Sequence, residues 1–369
     1  LYSNNIPIEQ INGYNLLANQ LLNSTVNTSE KYGGVAVALG CDTDSQTGVN
    51  LPTTSAVGVY YYNFSIPLIS VIGLNNRDHL FPIGSISNLQ LQMQTASLLP
   101  FSFNSTTAMT TAEQGWVQLD NFSLNMKYIS IGSASASLLY STLPDGKYFI
   151  KTQTWIQSSA NLPANTQGQA NILYQIRNSS VKSLITQNST AMSQVCPNGL
   201  YDSLNLAVTQ WNVTVGGLNF PQTPLNPSLR PAQAFLSYLS ALGYGGDYKK
   251  YGGVMTRQNY GASMTGTTPA NVSQLDSMMV VPATGNRVNS QIDGTTQVVQ
   301  QFPNMHYLGI DMEKSGGLLF NGVSTRSSPP VANYYINVPL PVNFTSFCFA
   351  LCDAVLIIDP MSQTIQAFV

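Results

Sequence analysis

Asp311 and Glu313, in the segment GIDMEK, lie two apart in a strand-like stretch and so share one strand face. Two carboxylates on one face are what a glycosidase uses as acid and nucleophile. The same spacing is commoner on a solvated strand edge, and that reading is preferred here. The other chemistry-bearing residues are few. The chain has two histidines, His79 and His306, and four cysteines. A His/Cys metal site needs several ligands at short spacing, so neither metal nor cofactor is expected. His79 falls in a turn and His306 beside a strand, both ordinary surface or satisfied positions. Cys41 and Cys196 fall in polar loops. Cys348 and Cys352 would share one strand face about 13 Å apart, too far to bond each other. All four read as free thiols from a reducing compartment. No G-x-S-x-G elbow, Walker A loop or H-E-x-x-H helix occurs. The glycine pairs Gly33–Gly34, Gly252–Gly253 and Gly316–Gly317 read as turns. No catalytic, cofactor-binding or metal residue is assigned, and no enzyme is expected.

The elements that would carry these residues are mostly strands. In Ser65–Ala96, SIPLISVIGLNNRDHLFPIGSISNLQLQMQTA, an apolar run, a polar turn and a second apolar piece precede a clean alternation. Leu89, Leu91 and Met93 would point into a core, and Gln90, Gln92 and Gln94 away from it. On that reading Leu91→Asp abolishes folding and Gln92→Ala does not. Pro7–Leu22 carries one apolar stripe at helical spacing, with Pro7 in its first turn and Asn5 as cap. Ala56–Phe64 and Trp116–Ile131 read as strands, and Ser133–Tyr140 as a short helix. Lys147–Gln157 and Gln167–Arg177 read as an antiparallel pair, and Ser179–Ile185 as a short turn or helix. Asn205–Val215 reads as a strand, and Pro231–Leu242 as a helix stopped by Gly243. Tyr244–Asn304 is expected to be loop-dominated. His306–Met312, Asn333–Leu340, Ser346–Leu351 and Ala354–Ile358 read as strands, with a closing hairpin over Asp359–Val369.

Composition narrows the function classes. Only 8% of the 369 residues are charged, against a usual quarter or so. Apolar content is an ordinary 43%, which argues against a disordered chain. Asn, Ser, Thr and Gln replace the missing charge. Such a surface suits a protein packed against copies of itself, because every interface charge must be desolvated. It equally suits a secreted β-rich protein with a neutral surface. A net charge of −2 and the lack of a basic run argue against specific nucleic-acid binding. No apolar stretch reaches the length of a membrane helix, and no signal peptide is visible. Ten N-x-[S/T] sequons occur, several inside expected strands, and are read as mostly unmodified.

KYGGV occurs at Lys31–Val35 and again at Lys250–Val254, each time shortly after an expected helix, which suggests two copies of one unit. The expected domains are 1–190 and 205–369, joined by a polar linker at 191–204. The expected fold class is all-β with a few short helices. It comprises two consecutive eight-stranded antiparallel jelly rolls, the first expected to lack its opening strands because the sequence starts partway into the unit.

Four segments, in order, carry a family resemblance. SIPLISVIG…HLFPIGSISNLQLQMQTA (65–96) resembles a signature segment of the double jelly-roll major capsid proteins of small eukaryotic DNA viruses, namely polinton-like viruses, adintoviruses and virophages. IRNSSVKSLI (176–185) is similar to the end of their first roll, and LNFPQTPLNPSLRPAQAFLSYLSALG (218–243) to the turn and helix early in the second. FPNMHYLGIDMEKSGGLLFNGVSTRSSPPVANYYINV and FALCDAVLIIDPMSQTIQAFV are similar to their closing strands. The resemblance implies a non-catalytic structural protein of the virion, assembled inside the host cell. Homotrimeric, pseudo-hexagonal capsomers would tile an icosahedral shell around a DNA genome. The implied partners are the chain itself, neighbouring capsomers, and penton and minor capsid proteins. The resemblance does not decide whether an internal membrane lies beneath. The rival readings are a secreted β-sandwich that binds glycans or acts as an adhesin, and a carbohydrate-active enzyme using Asp311 or Glu313.

Overall fold

Asn4 and Asn5 both take positive φ, at 51° and 62°. Two successive left-handed residues make the tight turn whose twist matches a hairpin, and asparagine tolerates that region better than most residues. The turn joins β1 (Tyr2–Ser3) to β2 (Ile6–Pro7). The expected helix therefore does not begin at Pro7. It begins after Gly13, whose φ is +60° and whose carbonyl accepts from the N–H groups of Leu16 and Leu17. This α1 spans Tyr14–Thr25. The computed structural model describes residues 1–25, 68–69, 81–94, 123, 129–190, 203, 205–244, 260, 291–293, 296–298, 306–314, 320–340 and 342–368. The expectations for Ala56–Phe64, most of Trp116–Ile131, most of Tyr244–Asn304, both KYGGV copies, His79, Cys41 and Cys196 lie outside these residues.

β3 (Leu89–Gln90) adds to β1, and the strand stops there. Leu91, Gln92, Met93 and Gln94 are all exposed, Leu91 at 42% and Met93 at 64%. The expected buried face of this stretch is thus corrected. Only Leu89 packs inward, against a small cluster of Ile8, Ile86, Ile150, Leu356, Ile358 and Ile365. Alternation marks two faces, but it does not say that a second layer covers either one.

α2 (Ser133–Ser141) matches the expected short helix. Eight further strands then wind into one sandwich. They are β4 (Tyr148–Leu162), β5 (Gly168–Leu173), β6 (Val181–Thr190), β7 (Val208–Val215), β8 (Leu218–Leu225), β11 (Leu308–Asp311), β12 (Val331–Ile336) and β13 (Phe344–Asp359). A ribbon of β9 (Gln291–Asp293) and β10 (Thr296–Val298) pairs apart from them. One sheet runs β4-β13-β6-β11, with β14 (Thr364–Phe368) beside the far end of β13. The other runs β5-β12-β7-β8. Every pairing is antiparallel, and strands distant in sequence lie side by side. That is the winding of an eight-stranded jelly roll.

Four expectations change here. β4 and β5 do not pair with each other: β4 pairs β13, β5 pairs β12, and the turn between them carries the chain from one sheet to the other. Residues 191–204 do not separate two folding units either. β4, β5 and β6 before them share both sheets with β7, β11, β12 and β13 after them. A polar run with Pro and Gly marks a loop, and a loop between two sheets of one sandwich looks no different from a linker. Ser179–Ile185, read as a turn or helix, leads into the buried strand β6. Ser346–Leu351 and Ala354–Ile358 merge into the single strand β13, paired with β4 from Phe344 to Ile358. The all-β class with a few short helices holds.

Between the sheets, Tyr174 meets the Ser346 hydroxyl at 2.7 Å, and both sit near the Tyr334 hydroxyl. Burial holds the Tyr174 phenol well above its usual pKa, so it stays neutral and able to donate. It belongs to the same core as Trp211, Val213, Leu184, Ile336 and Phe344, all at most 1% exposed.

The opposite face of the β4-β13-β6-β11 sheet is covered as well. At its α1 end, a Cβ on Gly13 would touch Gln157 of β4 and Phe349 of β13. α3 (Pro231–Ala241) covers β11, where Gly309 meets Tyr238 and Ala241 so closely that a Cβ there would sit 3.0 Å from both. Ser237 donates to the Gly309 carbonyl at 2.6 Å, and Ser24 of α1 hydrogen-bonds the Tyr238 hydroxyl of α3. α3 ends as expected, with Gly243 at φ +83°. Two helices on one side and a sheet on the other explain why β6 is buried from Ser183 to Ser189, polar residues included.

Candidate functional site

The two carboxylates singled out in the sequence have different hydrogen-bonding and ion-pair partners. Asp311, at the exposed end of β11, accepts the backbone N–H of Glu313 at 2.9 Å. Partial burial, more than the neighbouring Glu313 charge, raises its carboxyl pKa. Glu313 pairs with Lys182 Nζ at 2.6 Å. Lys182 also lies 3.9 Å from Asp353, which is 1% exposed and accepts from the Ser180 hydroxyl at 2.6 Å. Sequence reasoning missed this group because Ser180 and Lys182 lie more than 170 residues before Asp353 in the chain. The signal present was a lone Lys and a lone Asp inside strands otherwise almost free of charge.

His306 is not at the surface. It is 1% exposed, its ring lies 5.2 Å from that of Tyr260, and neither ring nitrogen has a hydrogen-bond partner. Burial lowers its pKa to about 3, so the ring is neutral. Cys348 and Cys352 are free and fully buried, as their strand spacing implied, and burial pushes both thiols far up. Of the sequon asparagines, Asn178, Asn188 and Asn212 are buried in strands or turns and are closed to modification in the folded chain. Among the described residues no three His, Cys, Asp or Glu side chains gather as metal ligands, and no helix is long and apolar enough to cross a membrane.

What the structure does build is surface. The four strands β5, β7, β8 and β12 contain no charged residue. On the outer face of their sheet, register sets Asn333 between Asn171 and Asn212, and Tyr335 between Gln169 and Gln210. Asn333 donates to Asn212 at 2.9 Å and to Thr214 at 2.8 Å, and Thr214 donates to Asn219 at 2.7 Å. Tyr335 and Leu173 stand out of this amide layer at 46% and 47% exposure. Such a face can form many neutral hydrogen bonds and asks little desolvation of a partner. A second surface lies at the far end of the other sheet. There register places Phe149 beside Ile357 and Phe368 beside Val355, with both phenylalanines about half exposed.

No family model matches the chain, and no curated protein matches it. Solved structures do. One is the capsid protein VP54 of PBCV-1 fitted into a reconstruction of the virophage Sputnik, at 11% identity and TM-score 0.32, over 64% of this chain and 54% of that one. Another is the mavirus major capsid protein, at 9% identity and TM-score 0.32, over 63% and 43%. A third is the STIV major capsid protein, at 13% identity and TM-score 0.23, over 53% and 48%. The chain spans about half the length of the structures it matches. These solved structures come from viral capsids.

Proposed function

We propose that the chain is a viral major capsid protein of the double jelly-roll kind. Its eight-stranded roll would stand beside a second roll, to which residues N-terminal to β4 contribute. Three chains would form a pseudo-hexagonal capsomer, and capsomers would tile an icosahedral shell around a DNA genome. In this reading the protein is structural, works without a cofactor, and resides in the virion. Its partners are its own copies and, at the vertices, penton and minor capsid proteins. The single observation that carries the reading is the charge-free outer face of the β5-β12-β7-β8 sheet on a jelly roll. A face built for water alone has no reason to exclude charge, whereas a face that is buried repeatedly against neighbours does. The order of the four resembling segments supports the same conclusion.

Light scattering together with electron microscopy of the purified chain tests it. The expected result is a stable trimer of hexagonal outline, with larger arrays on concentration. A strict monomer with no higher assembly would overturn the reading.

A further inference from the structure

The group around Lys182 is organised by a bulge. In the β6–β13 pairing Ser183 opposes Leu351 and Val181 opposes Cys352, so Lys182 is the extra residue with no partner on β13. A bulge of this kind re-aims a side chain. Here it sends Lys182 Nζ to Glu313 at 2.6 Å and to Asp353 Oδ1 at 3.9 Å. Asp353 lies on β13, the strand next to β6, and its other oxygen accepts from Ser180 Oγ at 2.6 Å. Ser180 is itself fully buried and held by the Gly322 N–H at 3.0 Å. Gly322 cannot carry a side chain, since a Cβ would lie 2.4 Å from the Val181 carbonyl. The loop is therefore pressed against β6, and Asp353 is shut away from water.

We propose that Lys182 and Asp353 condense spontaneously into an isopeptide cross-link between β6 and β13, with Glu313 carrying the protons. The balance is complete without any other reagent. The Lys182 ammonium passes a proton to Glu313, and the freed amine attacks the Asp353 carboxyl carbon. Ser180 hydrogen-bonds the oxygen that stays and gathers negative charge. The nitrogen loses a second proton, the C–Oδ1 bond breaks, and both protons leave with Oδ1 as one water. Glu313 ends as the carboxylate it began as, and nothing is oxidised or reduced. Holding the amine 3.9 Å from a carboxyl oxygen in a buried site supplies an effective concentration that the same pair lacks in water. A merely structural ion pair needs neither the bulge nor a dedicated hydroxyl on the far carboxylate oxygen.

Intact mass of the denatured full-length protein decides the matter. The expected mass is one water below that of the sequence, and a tryptic digest should yield one branched peptide joining Lys182 to Asp353. Glu313→Gln, which keeps the shape of the side chain but cannot take the proton, should show the full sequence mass with the same β-sheet circular dichroism. Lys182→Arg should also show the full mass. A wild-type chain at full sequence mass overturns the proposal. So does a branched peptide that maps to any other pair, or a cross-link that forms to the same extent in Glu313→Gln.

Discussion

His306 sits where two opposing preferences meet. Its backbone is needed, since its N–H donates to Ser203 and its carbonyl accepts from the Ser203 hydroxyl. Its ring is buried and neutral with both nitrogens unpartnered. The folded pKa of about 3 lies below the ordinary 6.5, so the unfolded chain takes up the proton first. The contribution is fully present above pH 6.5 and is lost as pH falls toward 3, by about 1.4 kcal/mol per pH unit in that window. Urea denaturation at a series of pH values should therefore show stability falling below pH 6.5. His306→Phe should flatten that slope, and an unchanged slope would show that other groups cause it. Asp359 adds to acid sensitivity in the same direction, since N–H groups of Ser362 and Met361 hold its carboxyl below the usual range. None of this could be read from a lone histidine beside a strand, because the ring packed against it is that of Tyr260, which is remote in sequence. Leu91 makes the converse point: a perfect alternation was legible and its burial was not. With Leu91 at 42% exposure, Leu91→Asp should change stability by roughly 0.5 kcal/mol or less. A melting temperature close to wild type checks this, and an insoluble variant would restore the inward-facing reading.

Elements were legible in proportion to how local their cause is. α3 was plain, with Pro231 at its start, a glycine past its end and an apolar stripe between. The β13–β14 hairpin was equally plain. β6 was not, because Ser183, Thr186, Gln187, Asn188 and Ser189 look like surface residues and are all buried. They are tolerated inside because the strand has neighbours on both edges and layers on both faces, so its backbone and several side chains find partners. What seals one of those faces is the close approach of α3 to Gly309. Gly309→Val should push Tyr238 and Ala241 outward and cost about 1–3 kcal/mol. Thermal denaturation measures the loss. Gly84→Val, at a glycine with nothing within 4 Å of its would-be Cβ and no positive φ, is the control for adding a side chain without a contact. Equal losses in the two variants would show that α3 does not pack as tightly as its contacts indicate.

At the scale of the whole molecule, composition said more than any motif. A chain with 8% charged residues still has to stay folded and soluble, and its 30 charged side chains lie outside one entire sheet of the roll. The low charge was visible in the sequence; its segregation was not, because it needs the pairing that brings β5, β12, β7 and β8 together from across more than 160 residues. The domain boundary failed for the same reason, since a jelly roll interleaves its first and second halves and leaves no seam in the sequence. If the neutral face is a subunit contact, charge placed there should prevent assembly without unfolding the chain. Gln169 and Gln210 flank Tyr335 in register and are both exposed, so Gln169→Glu with Gln210→Glu puts two carboxylates on the face at little cost to the monomer. Like charges brought together from facing copies, and desolvated there, cost several kcal/mol, on the order of a thousandfold in association. Light scattering should show monomers with a wild-type melting temperature, partly returning to trimers in high salt as the repulsion is screened. Trimers of the double variant at low salt would move the contact elsewhere, and the half-exposed Phe149 and Phe368 at the far end of β4 and β14 would be the next surface to charge.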